Sequence, residues 1–75
     1  MTVTQIKNDL LEHLGEEVYI KYHLGRNRIE EYEGTIKSLY NHIFLVEVGG
    51  NNEIKSFSYT DVITKTIRIF YESDQ

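Results

Sequence analysis

The sequence predicts an all-β fold, five strands closing into a small barrel, with one α-helix ahead of them. Three observations carry this reading. Apolar residues recur with a helical period only as far as Leu14, and from Glu17 the period becomes two. Gly- and Asn-bearing turns then cut the chain into short strands. The whole sequence is 75 residues, which suits one small domain, 1–75, and excludes a doubly wound nucleotide-binding domain or a (β/α)₈ barrel.

The helix is predicted over about residues 2–14. Ile6, Leu10 and Leu14 stand at i, i+4 and i+8, with Val3 on the same side, so one stripe is apolar. Thr2 and Gln5 have the spacing of a capping box, with Thr4 as the rival N-cap. Gly15 stands where a helix C′ residue is expected. Lys7, Asp9, Glu12 and His13 take the wet side.

The barrel is predicted over about residues 17–71. In the first strand Val18, Ile20, Tyr22 and Leu24 alternate with Tyr19, Lys21 and His23, which makes a half-buried strand. Gly25-Arg26-Asn27-Arg28 is a turn. The second strand runs from Ile29 to Leu39, with Tyr32, Gly34 and Ile36 facing in. A glycine inside a strand marks a bend or a close backbone approach, so Gly34 lets one long strand serve both halves of a barrel. Tyr40-Asn41-His42 is a short turn, and Ile43–Val48 is the third strand. Gly49-Gly50-Asn51-Asn52 is a hairpin loop. The fourth strand, Ile54–Tyr59, turns Phe57 and Tyr59 inward. Tyr59–Ile63 is predicted as a 3₁₀ turn held by Asp61 or Thr60, and Thr64–Tyr71 as the fifth strand with Ile67 and Ile69 inward. Glu72-Ser73-Asp74-Gln75 is expected to be loose. This order is that of an SH3-like or Sm-like barrel with the helix against one open end.

Composition narrows the function classes. Hydrophobic residues make up 40%, which argues against disorder. With no cysteine, thiolate chemistry, disulfides and thiolate-bound zinc are excluded. No apolar signal-peptide core or membrane span is seen, since the longest apolar run is Ile43-Phe44-Leu45-Val46. The expectation is a soluble, cytoplasmic protein.

Candidate chemistry is sparse. His13, His23 and His42 lack metal-ligand spacing and read as surface histidines, so no metal and no cofactor are expected. The carboxylates gather at Glu16-Glu17 and Glu30-Glu31-Glu33, on solvated faces rather than across a cleft. No nucleophile elbow, P-loop or dinucleotide fingerprint occurs, so a non-enzyme is expected. Lys21, Arg26 and Arg28, with His23, gather near one hairpin. About three phosphate contacts would give a salt slope of only roughly −2 to −3, and the net charge of −4 opposes even that.

Several segments together resemble the Veg family, small proteins of Gram-positive bacteria. They are Ile6-Lys7, Leu14-Gly15, Gly25-Arg26, Gly34-x-Ile36, Tyr40 with Phe44, and above all Ser56-Phe57-Ser58-Tyr59-Thr60-Asp61-Val62-Ile63-Thr64-x-Thr66. The spacing matches over about residues 2–71. Two departures stand out. Asn27 and Glu30-Glu31 interrupt a run that is more basic in the family, and Tyr40-Asn41 replaces Tyr-Pro. The resemblance implies a Sm-like barrel without known catalysis that stimulates biofilm formation by interfering with a transcriptional repressor.

Two functions are therefore expected to compete. The first is an antirepressor that regulates transcription by binding a protein partner, a DNA-binding repressor, through Arg26, Arg28 and Tyr40 on exposed turns, with Lys21 of the first strand beside the same hairpin. The second is a Sm-like module for single-stranded RNA or DNA. A nucleic-acid partner ranks below a protein, no membrane contact is expected, and a homo-oligomer would cover an edge or an apolar patch.

Overall fold

A computed structural model describes residues 2–50 and 52–71. In chain order the elements are α1 (Val3–Glu12), β1 (Glu17–Gly25), β2 (Arg28–Leu39), β3 (Ile43–Val48), β4 (Glu53–Ser58), α2 (Tyr59–Ile63) and β5 (Ile67–Tyr71). The strands form one antiparallel sheet in the order β4-β3-β2-β1-β5. Five antiparallel strands behind a short helix are what the alternation predicts.

The capping box starts α1. Thr2 Oγ1 accepts from the Gln5 amide at 3.2 Å, and the Thr2 amide donates to Gln5 Oε1 at 2.8 Å. The helix stops two residues short of the predicted end. The amides of His13 and Leu14 bond three residues back, to Leu10 and Leu11. That tightening carries Leu14 off the apolar stripe, so Ile6 and Leu10 are buried while Leu14 is 47% exposed. Gly15, at φ +84°, then turns the chain so that its amide meets the Ile36 carbonyl at 2.9 Å.

Hydrogen bonds do not close the sheet into a barrel. β4 and β5 stand at opposite ends of the strand order, and α2 bridges them in the chain. The sheet nevertheless curls on itself. The rings of Tyr22 on β1 and Phe57 on β4 lie 6.1 Å apart, although three strand spacings of a flat sheet would separate them by about 14 Å. Gly34 permits part of this curl. A Cβ there would stand 2.3 Å from the Glu47 carbonyl oxygen. A bulge between Ile36 and Ser38 adds local twist.

The core lies inside the curl. Ile20, Ile36, Phe44, Val46 and Tyr59 are fully buried there, and Ile6 and Leu10 close one end. Tyr59 points inward as predicted, but it belongs to a helix rather than a strand. Tyr59–Ile63 is a short α-helix, not a 3₁₀ turn, because the Thr64 amide bonds four residues back to Thr60. Its cap is Ser58, whose Oγ accepts from the Thr60 amide at 3.1 Å, in place of the predicted Asp61 or Thr60. The expectation for residues 72–75 lies outside the described residues.

Candidate interaction surface

The β1–β2 hairpin is closed by Gly25 paired with Arg28, leaving Arg26-Asn27 as a two-residue loop. Asn27 sits at φ +61°, a left-handed conformation that asparagine tolerates well. This geometry sets Arg26 and Arg28 together at the hairpin tip, both exposed. Neither has an ion-pair partner among the described residues.

Two aliphatic side chains flank them. Leu24 is 43% exposed and Ile29 is 52% exposed. The alternation of β1 places Leu24 on the inward face, and that expectation is corrected. The β1–β2 register shifts at a bulge between His23 and Gly25, so Leu24 has no cross-strand partner and the alternation that would turn it inward is broken there. The tip is therefore cationic and apolar at once. The signal was available in the sequence, because Leu24 and Ile29 both adjoin the turn.

Lys21 stands apart from the tip. It lies four residues before Gly25, about 13 Å along the strand. Its cross-strand neighbours are Glu31 on β2 and Arg68 on β5. Arg68 is a partner for Lys21 that strand alternation alone does not reveal, because it depends on β5 returning to pair with β1. Tyr19, next on this face, is 6.1 Å ring to ring from Phe70.

Tyr40 lies at the other end of β2 from Arg28, so the four predicted contact residues do not form one patch. Its side chain is 51% exposed, beside a shallow cleft lined by Lys7, Leu39, His42 and Ile43. Its backbone is fixed, because the buried Tyr59 hydroxyl donates to the Tyr40 carbonyl at 2.7 Å.

The acidic residues of β2 hold tyrosines. The Tyr19 hydroxyl donates to Glu31, and the Tyr32 hydroxyl donates to Glu30. The hydrogen bond to the adjacent carboxylate is the main cause that raises each phenol's pKa above 10.0. In each pair the neutral phenol is the donor, and the carboxylate beside it disfavours ionisation. The Glu30–Tyr32 pair was legible as an i, i+2 pair on one strand face. The Tyr19–Glu31 bond needed the register. Lys55 sits 5.0 Å from the Tyr32 ring centroid.

His13 stacks on Tyr71 at 3.9 Å, with Nδ1 3.2 Å from Glu16 Oε1. Among the described residues no three His, Cys, Asp or Glu side chains are grouped to hold a metal ion. Among them, too, no helix is long and apolar enough to cross a membrane.

A search of curated proteins found no match. The family model described as biofilm formation stimulator VEG matches residues 1–70 of the 75. That span takes in α1, the hairpin tip, the Ser58-capped helix α2 and nearly all of β5, and the chain belongs to the Veg family.

Proposed function

We propose that the chain is a non-enzymatic, cytoplasmic regulator of gene expression that stimulates biofilm formation by binding and antagonising a transcriptional repressor. Family membership supports the process. The observation that carries the mode of action is the hairpin tip, where Arg26 and Arg28 stand between exposed Leu24 and Ile29. Arginine beside solvent-exposed aliphatic surface is the composition of a protein contact. A phosphate-binding groove needs a continuous basic track, and here Glu30, Glu31 and Glu33 follow the arginines at once.

The test is a transcriptional reporter under the repressor's control, in cells that carry the wild-type chain or Arg26→Glu with Arg28→Glu. Loss of derepression, with the variant folded and present at wild-type level, is the expected result. Derepression equal to wild type would remove the hairpin tip from the mechanism.

A second reading rests on a different face. Lys21 and Arg68 are cross-strand neighbours beside the Tyr19 and Phe70 rings, a pairing of cations and aromatics that suits stacked bases. Glu31 and Glu33 lie opposite Lys21 and Tyr19 and work against it. Absence of oligonucleotide binding at about 50 mM salt, where phosphate contacts are strongest, would dispose of this reading.

A further inference from the structure

The two edges of the sheet are not alike. β4 presents Glu53, Lys55, Ser56 and Ser58 along its length, with Lys55 and Glu53 ion-paired at 3.6 Å. Charges of this kind guard an edge against pairing. β5 is Ile67-Arg68-Ile69-Phe70-Tyr71, with one charge in five residues. A groove of about 570 Å³ runs along β5 beneath α1 and α2, lined by Ile6, Val62, Ile63 and Ile69.

The backbone of β5 is set to receive a strand there. The His23 amide bonds the Thr66 carbonyl at 2.8 Å, and the register continues through Lys21 with Arg68 and Tyr19 with Phe70. Antiparallel ladders alternate, so Arg68 and Phe70 bond toward β1 while Ile67 and Ile69 turn their amides and carbonyls toward the open edge.

We propose that the chain forms a twofold symmetric homodimer in which two β5 strands pair antiparallel about Ile69. A second copy is the occupant that complements this edge. Pairing about Ile69 sets Arg68 opposite Phe70 of the second copy, and symmetry makes that contact twice. Each contact puts a guanidinium beside an aromatic ring that is 48% exposed in one chain. The groove also carries both signs, Asp9 on α1 and Lys65 after α2. The antiparallel arrangement brings the Lys65 end of one copy to the Tyr71 end of the other. The His13–Tyr71 stack places the end of α1 there, one helical turn from Asp9. An isologous contact needs such a self-complementary patch.

The experiment is light-scattering mass across a concentration series, for wild type, Phe70→Lys and Phe70→Glu. Wild type is expected to move from 8.9 kDa to twice that mass. Phe70→Lys sets like charges opposite Arg68 at both contacts and should weaken the dimer by about tenfold or more. Phe70→Glu faces the same Arg68 with opposite charge and should keep it. Amide exchange at Ile67 and Ile69, slowing as wild-type concentration rises, gives a readout that needs no variant to fold. A monomer up to about 1 mM, assemblies larger than a dimer, or a dimer indifferent to Phe70→Lys would each overturn the proposal.

Discussion

The hydroxyl of buried Tyr59 donates a 2.7 Å hydrogen bond to the backbone carbonyl of Tyr40. One residue opens α2 and the other directly follows β2, so the bond ties the short helix to the β2–β3 turn. Tyr59→Phe keeps the ring and removes the donor. A net loss of about 1 kcal/mol is expected, or roughly 4–8 °C in Tm for a domain of this size. Thermal and urea denaturation measure it. An unchanged midpoint would mean that the bond contributes nothing net.

The same phenol predicts alkaline sensitivity. Burial raises the Tyr59 pKa above 10.0, because the phenolate would be charged inside the core. The folded state therefore binds the proton more tightly than the unfolded chain does. The contribution is fully present below pH about 10 and is lost as pH rises toward the folded value. Tyr19 and Tyr32 act in the same direction through their carboxylate partners. Denaturation at pH values from about 8 to 11 should show stability falling at the top of the range, with a shallower fall in Tyr59→Phe.

Gly34→Ala tests the curl of the sheet. The added Cβ would stand 2.3 Å from the Glu47 carbonyl oxygen and 2.8 Å from Val46 Cγ1, so β2 and β3 must separate. A cost of about 1–3 kcal/mol is expected. Gly50→Ala is the control, because nothing lies within 4 Å of its added Cβ and its φ is not left-handed. That change should stay within about 0.5 kcal/mol. Equal effects of the two substitutions would contradict the close approach at Gly34.

Ile36→Ala opens a cavity at a fully buried position on β2. About 2–5 kcal/mol should be lost, against a total of about 5–15 for a typical domain. Urea titration followed by circular dichroism should show a large drop in midpoint or no folded baseline. A wild-type midpoint would place Ile36 outside the core.

Strand alternation made most of the fold legible, because period two names the inward face directly. Val18, Ile20, Ile36, Phe57 and Ile67 are all buried as that period requires. The misread features depend on tertiary packing. The end of α1 depends on where the chain must turn for the Gly15 amide to meet Ile36 of β2 before entering β1, so the period alone counts Leu14 as core. The start of α2 depends on Ser58 being free to cap it, which a strand reading of Tyr59 conceals. Closure of the sheet depends on the distance between β4 and β5, which no local pattern encodes. For the site, adjacency in the chain made Arg26 and Arg28 legible as a pair. The separation of Tyr40 from them, and the approach of Arg68 to Lys21, required strand directions and register.

The most direct measurement is a pull-down with tagged chain from cell lysate, split into nuclease-treated and untreated halves, with bound proteins identified by mass spectrometry. A DNA-binding repressor retained in both halves, and lost when Arg26 and Arg28 are both changed to Glu, is the predicted result. Partners that disappear with nuclease would contradict direct protein contact and turn attention to the Lys21–Arg68 face as a nucleic-acid surface.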